Sequence, residues 1–333
     1  MSLLVFISML LISACQPKQM VINGQTMGTY YSIKYIVPSD APSKAALQKQ
    51  IDVLLEQVNN QMSTYRPDSE LSRFNQSRAV NQPFTVSPAI IKVINESFRI
   101  NQLSHGTLDI TVGPLVNLWG FGPEAHQDQL PDEQELNKRK TWVGMDKLKI
   151  DGNALVKLIP ELYLDLSAIA KGYGVDVVAE YLQSVGIQNY LVDIGGEVRT
   201  KGTNEHNQVW RIAIEKPATG IDQSVQAVIA AGDMSVATSG DYRNYFEVNG
   251  VRYSHTIDPR TGRPITNNIV SITVLSPSCM TADGLSTALG VLGLEEGMVL
   301  AEKLNIPVMM ITKSDSGFVE HYSSAFQSKI VTP

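Results

Sequence analysis

The sequence is poor in the residues that most often announce chemistry. Its 333 residues hold two cysteines, Cys15 and Cys279, and five histidines. Two cysteines so far apart exclude a disulfide framework and a paired-thiol redox motif. No two of His105, His126, His206, His255 and His321 stand at His-x-x-x-His spacing, so zinc-ligand spacing is missing as well. There is no Gly-x-x-x-x-Gly-Lys-Ser/Thr phosphate loop and no dinucleotide-binding glycine fingerprint. Positive charge is also short: 27 Lys and Arg face 33 Asp and Glu, for a net charge of -6. That balance argues against a nucleic-acid partner, whose phosphates call for a basic face. Any phosphate-bearing ligand would need local positive charge from a metal, from helix N-termini or from a few placed Lys and Arg. The N-terminal apolar run, Met1–Ala14, is shorter than the roughly 20 residues of a membrane-spanning helix.

What is there suffices for a substantial core: 43% of the residues are hydrophobic, enough for one large domain or two coupled lobes. The short apolar run ends in Ile12-Ser13-Ala14-Cys15, small residues before a cysteine. This resembles a bacterial lipobox, although the basic residues expected ahead of such a run are missing. Residues 1–15 therefore read as a lipoprotein signal segment with the lipid on Cys15, residues 16–25 as a tether, and 26–333 as the working domain. Gln16 in place of Asp resembles routing to the outer membrane. The expected location is the cell envelope of a Gram-negative bacterium, lipid-anchored and facing the periplasm.

Periodicity predicts strands after Met27-Gly28-Thr29 and a helix over Ala45–Met62 with Leu47, Ile51, Leu54, Leu55, Val58 and Met62 on one face. Arg66–Phe84 reads as loop. A second helix starts at Ser87-Pro88, with Ser as N-cap and Pro at N1 and a face of Ile91, Ile94, Phe98 and Leu103. Leu158–Leu166 reads as strand, Ser167–Val185 as helix and Tyr190–Ile194 as strand, an order that suggests an α/β layer. Asn249-Gly250 between β-rich runs predicts a tight hairpin. Ile269–Leu275 and Pro307–Thr312 read as strands, Thr281–Leu292 and Leu294–Leu304 as helices. The expected fold class is α+β, compact, with mixed or antiparallel sheets and packed helices.

Three stretches could carry chemistry, each with a plainer alternative. In Thr281-Ala282-Asp283-Gly284-Leu285-Ser286-Thr287, Asp283 and Thr287 share a helix face, with Ser286 beside them. One carboxylate and two hydroxyls suit Mg²⁺, which binds hard oxygens and takes few protein ligands; the alternative is helix capping by Thr281 or Asp283. In Asp165-Leu166-Ser167-Ala168-Ile169-Ala170-Lys171-Gly172, an acid precedes a helix start and a lysine follows, as a phosphate site would arrange them; the alternative is an ordinary capped helix. His255, delivered by the hairpin, is a natural general base, though a lone histidine is more often structural. Asp258-Pro259-Arg260-Thr261-Gly262 reads as a turn in which Arg260 touches phosphate or braces Asp258. Asp193–Glu197 and Thr107–Pro114 read as cleft walls, or more simply as a bulge and a buried turn.

Taken together and in this order, the segments resemble the ApbE family, the FAD:protein FMN transferases. The matching stretches are Met27-Gly28-Thr29, Met62–Tyr65, Gly106–Gly122, Asp165–Asp176, Asp193–Gly202, Ser235–Arg243, Ser254–Pro264 and Cys279–Leu289. The resemblance implies an ApbE-like, T-fold-related architecture and a Mg²⁺-dependent transfer of the FMN half of FAD to a Ser or Thr of an acceptor protein, with release of AMP. It implies FAD contacts at Met27, Tyr65, Thr107, Leu108, Asp109, Asp165, Lys171 and Ile257. Mg²⁺ would sit at Ala168 (through its carbonyl), Asp283 and Thr287, with Ser286 at a neighbouring position. His255 would activate the acceptor hydroxyl. The acceptors implied are subunits of Nqr- and Rnf-type redox pumps bearing a motif like Asp-x-x-Ser/Thr-Gly-Ala/Ser-Thr. Two other readings remain open at this point: an FAD pyrophosphatase using water in place of the acceptor, and a flavin-binding lipoprotein without turnover.

Overall fold

The computed structural model describes residues 18–123, 130–216, 225–240, 245–248, 251–314 and 317–331. Its frame is an eight-stranded sheet whose strands lie side by side in chain order. They are β1 (Gln19–Thr26), β2 (Thr29–Ile36), β3 (Tyr190–Ile194), β4 (Glu197–Lys201), β5 (Ser235–Gly240), β6 (Ile269–Ser276), β7 (Val308–Ser314) and β8 (Gly317–Tyr322). Each neighbouring pair is antiparallel. The sheet is thus antiparallel, not mixed, and the strand–helix–strand order around residues 158–194 builds no parallel crossover.

The helices are α1 (Lys44–Met62), α2 (Glu70–Gln76), α3 (Pro88–Leu103), α4 (Gly113–Leu118), α5 (Glu133–Lys140), α6 (Ala170–Ser184), α7 (Cys279–Leu292), α8 (Leu294–Lys303) and α9 (Ser324–Gln327). α1 is capped by Ser43, whose side chain accepts from the Ala46 amide, and buries Leu47, Ile51, Leu55, Val58 and Met62. With α6 it covers β1–β3 through Ile51, Leu55, Val178 and Leu182 against Ile33 and Val192. α7 is apolar on nearly every face and is buried accordingly. It packs between α3 and β6 through Ile94, Ile100, Leu285, Leu289 and Ile272. Each such buried Leu or Ile contributes roughly 1.5–3 kcal/mol. Beyond the sheet, a three-stranded sheet of residues 211–215, 225–230 and 330–331 closes a further core with Val236, Leu275, Met309 and Ile311.

Several expectations shift. The strand β1 begins at Gln19, inside the span read as tether. Arg66–Phe84 holds α2, capped by the Ser69 side chain, and the short strand Pro83–Thr85. α3 begins with Pro88 as expected, but it buries Ile90, Val93, Ile94, Ser97 and Ile100; the stripe i, i+3, i+4, i+7, i+10 is rotated by one position. Ser87 makes no side-chain cap. Residues 158–166 form no strand: Leu162, Leu164 and Leu166 are buried along an extended loop, and alternation alone does not supply a strand partner. Cys15, and with it the lipobox, lies outside the described residues, as do the Asn249-Gly250 turn and part of the Ser235–Arg243 stretch. Among the described residues no helix is long and apolar enough to cross a membrane.

Candidate active site

Two helix starts meet at the centre of the molecule. α7 is capped by its own Ser278, whose hydroxyl accepts from the Thr281 amide at 3.3 Å. Neither Thr281 nor Asp283 is therefore the cap. Asp283 lies a turn further in, 5% exposed, and reaches across to α6, where its Oδ2 accepts from the Gly172 amide at 2.8 Å. In a regular helix that amide would point at the Ala168 carbonyl. The α6 start also lacks a side-chain cap from its N-cap residue, Ile169. Gly172 permits the approach because a Cβ there would stand 2.3 Å from the Cys279 carbonyl oxygen and 2.8 Å from Asp283 Cβ.

A cleft of about 320 Å³ opens over this junction, within the size range of small-molecule sites. Its walls bring together Tyr65, Thr107, Leu108, Asp109, Asp165, Ala168, Lys171, His255, Ile257, Asp283 and Thr287. Eleven predicted positions from five separate segments thus face one space. Two predicted positions do not. Ser286 is 1% exposed and its hydroxyl donates to the Asp283 carbonyl oxygen at 2.8 Å, which turns it into its own helix. Met27 lines a separate, larger groove along α1. Its Cε would stand 2.8 Å from a Cβ at Gly174, so it packs on α6. That groove, about 1540 Å³, contains no other predicted residue.

The polar groups are held by local turns. Asp165 Oδ1 accepts from the Ser167 amide at 2.8 Å and from its hydroxyl at 2.5 Å. Asp109 Oδ1 accepts from the Thr111 amide and hydroxyl at 2.8 and 2.6 Å. Burial raises the Asp109 carboxyl above its usual range although Thr111 opposes it. The Thr107 hydroxyl donates to the Ala288 carbonyl at 2.9 Å, so Thr107 anchors its loop to α7. Lys171 Nζ pairs with Glu197 Oε1 at 2.7 Å. Burial would lower the lysine, but Glu197 and Asp283 outweigh it and raise it. Glu197 is 3% exposed, is raised by burial, and its Oε2 has no hydrogen-bond partner. Asp283 is pushed up to about 8 by burial and by the neighbouring Glu197.

His255 follows the strand 251–254, whose partner strand is 245–248. A stack carries this hairpin: Trp119 lies 5.7 Å from Tyr253, Tyr253 5.2 Å from Phe246, and Phe246 5.3 Å from Phe121. Phe121 presents its ring edge-to-face with His255 at 6.3 Å. The Trp119 indole donates to the Gly262 carbonyl at 2.8 Å. Arg260 braces Asp258, with Nε and Nη2 each 3.0 Å from a carboxylate oxygen. The Gly195-Gly196 segment, with φ of +60° and +102°, is the two-residue β3–β4 turn; of that stretch only Glu197 reaches the cleft. Glu197, at the end of the Asp193–Glu197 wall, and Phe121, within the Gly106–Gly122 stretch, also line the cleft, but the sequence singles out neither as a site residue. The strand that Glu197 opens is itself polar, Glu-Val-Arg-Thr-Lys, so the acid does not stand out in the sequence.

Magnesium is the metal that the resemblance implies, and the residues suit it. Among the described residues no three His, Cys, Asp or Glu side chains converge, so a cation here would draw on one carboxylate with carbonyl and hydroxyl oxygens. Asp283, Thr287 and the Ala168 carbonyl are such a set of hard donors. The unfavourable burial of the Asp283 charge is the kind that a bound cation offsets.

The chain belongs to the ApbE family, whose model matches residues 27–310. It is 59% identical over 323 residues to the FAD:protein FMN transferase of Vibrio cholerae, covering 96% of each chain. It is 50% identical to the FAD:protein FMN transferase of Haemophilus influenzae, covering 95% of this chain and 93% of that one. Among solved structures, the flavin transferase ApbE from Vibrio cholerae matches with a TM-score of 0.88 at 58% identity, over 94% of this chain and 99% of that one. The apo flavinyl transferase ApbE of Pseudomonas stutzeri matches with a TM-score of 0.89 at 38% identity, over 97% and 100%.

Proposed function

We propose that this protein is an FAD:protein FMN transferase that joins FMN through a phosphoester to a Ser or Thr hydroxyl of an acceptor protein and releases AMP. The observation that carries the reading is the convergence of His255, Lys171 and the α6–α7 junction at Asp283 on one cleft. A Mg²⁺ held by Asp283, Thr287 and the Ala168 carbonyl would neutralise charge on the pyrophosphate and on the departing AMP. Lys171 lines this cleft, and its ion pair with Glu197 fixes where its ammonium stands. Tyr65, Leu108 and Ile257 provide flat and apolar surface for the flavin, with Thr107, Asp109 and Asp165 on the same wall.

His255 takes the proton of the incoming hydroxyl as its oxygen attacks the phosphorus on the FMN side. The new P–O bond replaces the bond to AMP, which leaves with the electron pair. The acceptor class is a subunit of an Nqr- or Rnf-type pump facing the periplasm, and a lipid on Cys15 would keep the enzyme at the same membrane surface. The test is incubation of the purified protein with FAD and MgCl₂, with and without an acceptor domain. The acceptor should gain the mass of one FMN less water, and AMP should appear in equal amount. FMN and AMP released at the same rate without acceptor would replace this reading with hydrolysis, and unchanged FAD would end it.

A further inference from the structure

We propose that Asp176 is a positioning residue for Asp283, acting through a crossed pair of carboxylates that locks the starts of α6 and α7 together. The inference rests on the metal reading given above. Asp176 lies in the second turn of α6 and is 4% exposed. Its Oδ1 accepts from the Cys279 amide at 3.0 Å and from Arg199 Nη1 at 2.6 Å. Its Oδ2 accepts from the Met280 amide at 3.0 Å and from the Ser278 hydroxyl at 2.7 Å. In return, Asp283 of α7 accepts from the Gly172 amide of α6. Each helix supplies the carboxylate that satisfies the open amides at the start of the other.

The sheet adds a second constraint. β4 offers Glu197 and Arg199, two residues apart and so on one face, and α6 offers Lys171 and Asp176. Glu197 pairs with Lys171 at 2.7 Å and Arg199 with Asp176 at 2.6 Å. The signs alternate on both elements, so sliding α6 along β4 would bring like charges together. α6 has one register on the sheet, and Asp176 transmits that register to α7.

This matters because the candidate oxygens come from both sides of the junction: Ala168 just before α6, Asp283 and Thr287 within α7. Mg²⁺ requires a near-octahedral shell at about 2.0–2.1 Å, so a shift of a few tenths of an ångström between the helices would weaken it. Asp176 does not line the cleft. Its effect on the cation would therefore pass entirely through helix placement.

The test measures FAD binding by flavin fluorescence in the full chain at graded MgCl₂, alongside thermal unfolding. Asp176→Asn should raise the MgCl₂ concentration for half-maximal binding by about tenfold or more, the scale of lost outer-shell support. At saturating MgCl₂, FAD affinity should return to near the wild-type value. Ser278→Ala, which removes one of the four donors, should shift the midpoint in the same direction by a smaller factor. A lower melting temperature with an unchanged MgCl₂ midpoint would make Asp176 a simple brace and overturn the proposal. If Asp176→Asn does not fold, an unchanged midpoint in Ser278→Ala overturns it equally. Asp283→Ala distinguishes the premise: MgCl₂ dependence surviving that change would bring down the metal reading itself.

Discussion

Gly172 and Asp283 meet as amide and carboxylate at 2.8 Å, at a point where the glycine has no room for a side chain. A Cβ would stand 2.3 Å from the Cys279 carbonyl oxygen, a backbone atom that cannot swing aside. Gly172→Ala should therefore force the helices apart. The expected cost is about 2–3 kcal/mol, near the upper end for overpacking, measured by denaturant unfolding, together with a loss of FMN transfer. A variant as stable and as active as the parent would show that the helix contact yields to a methyl group.

His255→Ala should slow FMN transfer by about 10²–10⁴-fold, the range for general-base assistance. FAD affinity, followed by flavin fluorescence, should stay within a few-fold, because the phosphate-directed groups are untouched. Matching losses in rate and affinity would instead make His255 a binding residue.

Lys171 and Glu197 form a half-buried pair, the lysine side chain 35% exposed and the glutamate 4%. Removing the lysine leaves a carboxylate that is 3% exposed without its partner. Lys171→Met should then cost about 1–2 kcal/mol, less than breaking a fully buried ion pair because water reaches the ammonium. The double variant Lys171→Met, Glu197→Gln should recover a good part of that loss. Thermal unfolding of the four species gives the coupling as a double-mutant cycle. Additive losses would mean that the pair is weakly coupled.

Lys157 offers a pH-dependent readout at a residue that does not line the cleft. It is 2% exposed and donates to the Asn75 and Ser77 carbonyls at 3.0 and 2.8 Å, at the end of α2. Burial, aided by Arg78, lowers it from 10.5 to about 8. Between those values the unfolded chain keeps a proton that the folded chain has shed. Stability contributed by this group therefore rises as pH climbs from about 8 to 10.5, and the cost of burying the ammonium is fully present below that window. After allowance for solvent reaching the ammonium, wild type should gain about 1–2 kcal/mol over Lys157→Met between pH 7 and 10. Parallel stability curves would refute the shift.

Much of this was legible in the sequence where side chains repeat with the period of their element. α1 was readable because Leu47, Ile51, Leu55, Val58 and Met62 recur along one stripe and bury along it. α3 was readable as a helix but not in its facing, since Ile90 and Ile91 are equally apolar and only packing selects between them. Residues 158–166 show the limit: their alternation matches a strand, but no neighbouring strand offers hydrogen bonds. The cleft was legible as a set of segments, yet not as a space. Ser286 stands beside Asp283 and Thr287 in sequence, and only the helix rotation shows that its hydroxyl turns inward. Glu197 and Asp176 were illegible as partners because each is defined by a residue far along the chain.

The strand order of the large sheet has a consequence for assembly. Six of its seven pairings close over short segments, the longest of them residues 202–234, while β2 and β3 close over residues 37–189. Closing so long a segment carries the larger entropic cost and is slow to find. That segment also supplies Tyr65, Asp109, Asp165 and Lys171, whereas His255 and Asp283 belong to the later half. During refolding, helices and local hairpins would regain their signal early, and competence for flavin would arrive only with this last closure.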